Sequence, residues 1–79
     1  MIYNEHVAIV GGTLEETEDF VDLHDLRGFP RYSPGRVRRL AEVSEPHLVF
    51  VLPVAQADTD TMAALRRSPH TLALVEDIK

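Results

Sequence analysis

Gly11 and Gly12 close the short apolar run "VAIV" and are followed by Thr13 and a row of carboxylates. A glycine pair at a strand end is one ingredient of a phosphate cradle, because bare backbone amides can approach an anion there. The dinucleotide fingerprint also needs a third glycine, in G-x-G-x-x-G, and the P-loop needs a lysine, in G-x-x-x-x-G-K-[ST]. "GGTLEE" has neither, and Glu15 and Glu16 would repel the phosphate. The pair is therefore read as the corner at which a strand leaves its sheet, and no cofactor is expected.

Oxygen ligands for a hard cation could come from Asp58, Glu76 and Asp77, if the strands before them run parallel. Their spacing is not diagnostic. Asp58 serves equally as a helix cap and Glu76-Asp77 as a solvated tail, so no metal is expected. His6, His24, His47 and His70 form no H-x-H or H-x-x-x-H pair. The chain has no cysteine, which excludes disulfides, thiolate nucleophiles and Cys-ligated metals. No catalytic constellation emerges from these spacings, and a non-enzymatic protein is expected.

Charge is the most distinctive feature. The net value is −5, which disfavours broad phosphate contact with nucleic acid. Between Thr13 and Leu26 lie Glu15, Glu16, Glu18, Asp19, Asp22 and Asp25 and no base; between Arg27 and Arg39 lie Arg27, Arg31, Arg36, Arg38 and Arg39 and no acid. On a helix, Glu15–Asp19 and Glu18–Asp22 are like-charge i,i+4 pairs that each cost a few tenths of a kcal/mol. Something must offset that repulsion: the chain's own arginines, a neighbouring subunit or a partner. Phe29 and Tyr32 among the arginines have the composition of a single-strand nucleic-acid contact. The plainer reading puts both rings in the core.

The elements that must carry these residues are readable in part. Residues 2–10, "IYNEHVAIV", read as a strand with Tyr3, Val7 and Ile9 on one face and Ala8 and Val10 on the other. "TLEE" is a capping box with Thr13 at N-cap and Glu16 at N3, which favours a helix over residues 14–26. The rival is a strand, "FVDLHDL", in a hairpin with the first. "RGFPRYSPG" reads as a loop, and Ser33-Pro34 restarts a helix whose stripe is Val37, Leu40 and Ala41. "HLVFVLP" reads as a central buried strand, "AQADTDTMAALRRSP" as a helix capped by Asp58 or Asp60, and "TLALV" as a last strand. In that helix Met62, Ala63 and Leu65 are placed toward the sheet. Strand, helix, strand in this order is a βαβ unit.

Seventy-nine residues, 44% hydrophobic and 27% charged, make residues 1–79 a single α/β domain. The expected architecture is a small, mainly parallel sheet of about three strands covered by two or three short helices, with a βαβ C-terminal half. No run reaches the roughly 20 apolar residues of a membrane span, and "MIYNEH" is no secretory start, so a cytoplasmic protein without a membrane partner is expected. So small a sheet leaves apolar surface and edge to cover, which favours a homo-oligomer or a partner-bound state.

The function expected is a small binding or regulatory protein that docks to another protein, as yet unidentified. Its contact residues are Glu15, Glu16, Glu18, Asp19 and Asp22 in the acidic segment, and Arg31, Arg36, Arg38 and Arg39 in the arginine segment. One alternative is a small-ligand or nucleotide-binding domain using the carboxyl ends of the strands, with Gly11, Gly12, Thr13, Asp58 and Asp77. The other is nucleic-acid binding through the arginines.

Overall fold

The β-branched runs become strands of a parallel sheet whose crossover helices cover its faces. The computed structural model describes residues 6–76, in which β1 (Val7–Val10), β2 (Arg31–Tyr32), β3 (Leu48–Val51) and β4 (Thr71–Leu74) form one sheet. All pairings are parallel and the order is β2-β1-β3-β4. The helices are α1 (Leu14–His24), α2 (Val37–Glu42), α3 (Pro53–Gln56) and α4 (Thr59–Arg66). This is the expected α/β architecture, with four strands where about three were expected. Tyr3 and Asp77 lie outside the described residues.

The added strand is β2, within the stretch read as a loop. Two residues between prolines carry no periodicity; β2 exists because β1 offers it a partner. The Ile9 amide donates to the Pro30 carbonyl at 3.0 Å and the Gly11 amide to the Tyr32 carbonyl at 3.1 Å. Residues 14–24 are helix, not a hairpin strand. The Glu16 amide donates to Thr13 Oγ1 at 3.0 Å, and the helix stops at Asp25, whose left-handed backbone (φ 54°) lets the Leu26 amide reach the Val21 carbonyl at 2.9 Å. Further on, Ser33 makes no side-chain cap bond and leads into a 3-10 turn, Pro34–Arg36, before α2. The helix expected between β3 and β4 is α4, capped by Asp58 through the Asp60 and Thr61 amides, and the short α3 precedes it as an added element. Ala63, placed toward the sheet by its spacing, is exposed.

The winding reverses between β1 and β3, so α1 lies on one face and α2 and α4 on the other. Ala8, Val10, Val49 and Val51 pack against Val37, Leu40, Met62 and Leu65. Ile9 and Leu52 pack on the opposite face against Phe20 and Val21. Phe29 and Tyr32 are partly buried against these two clusters, one on each side, and so do not form a stacking platform.

Thr61 is 1% exposed and its Oγ1 has no hydrogen-bond partner among the described residues. An orphaned buried hydroxyl costs about 1–3 kcal/mol, whereas an apolar group of the same shape removes that penalty. Thr61→Val is therefore expected to raise stability by about 1 kcal/mol, read as a higher urea midpoint at unchanged slope. A lower midpoint would show that the hydroxyl is satisfied.

Candidate functional site

In an open α/β sheet, ligands settle outside the carboxyl ends of the strands where the winding reverses. Here that point lies between the loops after β1 and β3, and it is filled from within. Glu16 is 8% exposed; its Oε1 accepts from the Gly12 amide at 2.8 Å and its Oε2 from the Val54 amide at 2.7 Å. One carboxylate thus holds the two amides that an anionic ligand would use. Thr13 caps the Glu16 amide as the capping box requires, but the glutamate reaches Gly12 and the distant Val54 instead of closing back on Thr13.

The glycines serve this closure. Neither has a positive φ. A Cβ on Gly11 would stand 1.8 Å from Thr17 Oγ1, and one on Gly12 would stand 2.4 Å from Val54 Cγ1 and 2.8 Å from the Ala55 nitrogen. Both glycines are needed for close approach of chain segments, as a corner requires. What remains open at the strand ends is a crevice of about 280 Å³ beside β2, lined by Thr13, Leu14, Arg31, Tyr32, Ser33 and Arg36.

Of the acidic residues, Glu16 is internal, and Glu15, Glu18, Asp19, Asp22 and Asp25 are exposed on and beside α1. The offset expected from the chain's own arginines is nearly absent. Among the described residues the one ion pair is Arg27 Nε to Asp22 Oδ1 at 3.4 Å, with both side chains about two-thirds exposed. Such a pair contributes under about 1 kcal/mol. Arg31 sits on β2 and Arg36 closes the 3-10 turn, both at the crevice; Arg38 and Arg39 are exposed on α2. Arg38 and Arg39 on α2 therefore lie across the sheet from the acids of α1, whereas Arg27 pairs with Asp22 and Arg31, in register with Ile9, lies on the α1 side at the crevice. On the α2 and α4 side, Arg38 and Arg67 share an open groove with Asp58 and Asp60, a mixed rather than basic lining.

Three histidines that look scattered in the chain come together. His6, His47 and His70 each precede a strand by one residue. Those strands, β1, β3 and β4, are neighbours in the register Val7–Leu48–Thr71. The rings line the amino end of the sheet, with centroids 5.3 and 5.2 Å apart and planes at 87° and 76°. The repeated signal, "HVAIV", "HLVFV" and "HTLALV", is present in the sequence but has meaning only when the strands are adjacent and parallel.

Within this row His70 ties elements together. His70 is buried; its Nδ1 accepts from the His47 amide at 3.0 Å and its Nε2 donates to the Leu40 carbonyl at 2.7 Å, which fixes its tautomer. One ring thereby ties the ends of α2, β3 and β4. No group of three or more His, Asp or Glu among the described residues is placed to hold a metal ion. His24, the fourth, lies against Phe20 on α1 at 4.6 Å between ring centroids. Asp58 is the cap of α4, and Glu76 is exposed just after β4.

No helix among the described residues is long and apolar enough to cross a membrane. Compared with protein-family models, with curated proteins and with solved structures, the chain gives no match.

Proposed function

We propose that the protein is a small docking module whose contact surface is the exposed acidic side of α1, and that its partner is a protein presenting a basic surface there. The observation that carries this reading is a row of exposed carboxylates of which, among the described residues, Asp22 alone is ion-paired. Glu15–Asp19 and Glu18–Asp22 repel at i,i+4, and among the described residues a single weak ion pair answers five exposed acids. A helix serving only its own fold gains stability from Lys or Arg at some of these positions. Retaining acids at all of them fits a surface completed by another molecule, where charge steers association. A nucleotide at the strand ends is the weaker reading, because Glu16 already occupies the amides it would need.

Asp19→Lys tests the proposal in two directions. It converts the Glu15–Asp19 repulsion into an attraction, so the free protein is expected to gain about 0.5 kcal/mol. Capture of a stoichiometric protein from nuclease-treated host lysate, released by moderate salt, is expected to be lost in the same variant. If wild type and Asp19→Lys retain the same proteins at the same salt, the acidic side of α1 is not the contact surface.

A further inference from the structure

Helix packing on the two faces of the sheet is unequal. A helix is about 10 Å across and strands lie about 4.8 Å apart, so a covering helix serves about two strands. The α2 and α4 face carries its full complement; among the described residues the other face carries α1 alone. That helix covers β1 and its neighbourhood, where Ile9 is fully buried. Beside it, on β3 and β4, Leu48 is 39% exposed, Phe50 and Ala73 are half-buried and Thr71 is exposed.

The flank of α1 that borders this uncovered half is identifiable. Glu16 reaches the Val54 amide just after β3, and the Phe20 ring lies 5.8 Å from that of Phe50 on β3. Residues at i, i+3, i+4 and i+7 share one side of a helix, so Asp19 and Leu23 lie on the same flank as Glu16 and Phe20. Leu23 is 57% exposed, and Glu15 and Asp22 stand one step further out. The gap is thus a channel with an apolar floor of Leu48, Phe50 and Ala73, walled on one side by Leu23 beneath carboxylates.

We propose that this channel is the docking groove for a basic amphipathic α-helix of another protein, about three turns long to match α1, which would complete the layer opposite α2 and α4. The inference rests on the reading of α1 as a docking surface and specifies what docks. The apolar stripe of the incoming helix would cover Leu48, Phe50, Ala73 and Leu23, while its Lys or Arg side chains meet Asp19, Glu15 and Asp22. A second copy of the chain fits poorly. Its arginine-bearing helix, α2, has six residues and already buries Val37 and Leu40 against its own sheet. Packing two such faces together would press the carboxylates of α1 onto an apolar floor, a costly burial of unpaired charge.

The test uses the whole ¹⁵N-labelled chain and three synthetic 14-residue peptides. The first is Leu and Lys with leucines at helical spacing, the second has the same composition without a helical stripe, and the third is Leu and Glu in the first pattern. The striped Lys peptide is expected to shift the amides of Asp19, Leu23, Leu48, Phe50 and Ala73, with an affinity that falls steeply with salt. Leu48→Asp and Leu23→Asp are each expected to weaken it about tenfold, the loss of a buried leucine. Each adds a negative charge, so electrostatics alone would predict tighter binding. Leu23 is an exposed helix position, which keeps the test valid if Leu48→Asp fails to fold.

Equal binding by the unstriped peptide, with shifts confined to α1, overturns the helix inference and leaves the acidic docking surface standing. Absence of binding by either Lys peptide, or equal binding by the Leu/Glu peptide, overturns both. A dimer in sedimentation that Leu48→Asp dissociates puts a second copy in the channel and also overturns the inference.

Discussion

Glu16→Ala is expected to destabilise the protein by about 3 kcal/mol, since hydrogen bonds to a charged group contribute about 1.5–3 kcal/mol each and two amides lose their acceptor. For a domain of this size that is a fall in melting temperature of about 15 °C. The Gly12 amide lies in the turn after β1 and the Val54 amide in α3 after β3, so the carboxylate acts as a clamp across the reversal point of the sheet. Glu16→Gln is expected to cost about half as much, because one amide oxygen can still accept while the NH₂ group faces a donor.

A more specific consequence follows from what Glu16 replaces. Removing the side chain leaves two N–H groups at a helix start and a strand end, an arrangement suited to small anions. Formate or phosphate at high concentration is therefore expected to restore part of the stability of Glu16→Ala and to leave the wild type unchanged. Thermal melts across a formate series, with chloride as the ionic-strength control, measure this. Equal responses of variant and wild type would mean that the glutamate is not standing in for a ligand.

His70→Leu is expected to cost about 2 kcal/mol, or about 10 °C in melting temperature, although leucine is apolar and of similar bulk. The penalty is polar. The His47 amide and the Leu40 carbonyl lose the ring nitrogens that satisfy them, at 3.0 and 2.7 Å. Hydrogen exchange at the His47 amide should rise more than exchange in α1, which does not touch His70. A variant as stable as wild type would show that the ring serves by filling volume. His24→Leu is the matching control, since that histidine lies exposed on α1 against Phe20.

How much of this was legible depended on the range of each interaction. The start of α1 could be read because Thr13 and Glu16 are three residues apart, and the capping box overcame two like-charge pairs that argued against a helix. β3 and β4 could be read because each is a short, mostly apolar run bounded by proline, histidine or acidic residues. β2 could not: Arg31 and Tyr32 are a strand only because β1 has a free edge there. The start of α4 was half visible, since Asp58 was one of two eligible caps and only the amides of Asp60 and Thr61 choose between them.

By itself the sequence determined the class of the domain, the parallel βαβ half and the separation of charge along the chain, and it favoured a helix over residues 14–26 with a strand as its rival. All of these rest on local pattern, on composition or on connections too short to cross the sheet in any other way. The tertiary structure alone decided the rest. It brought Glu16 to the Val54 amide, 38 residues away, and so closed the ligand position that the strand ends would otherwise offer. It lined up three histidines that share only their place before a strand. It put Arg38 and Arg39 of α2 across the sheet from the acids of α1, because the winding reverses between β1 and β3, and left Arg27 and Arg31 on the α1 side. The common reason is that strand order is a long-range property: which residues meet across a sheet is set by the order in which strands pair, and no residue's neighbours in the chain record it.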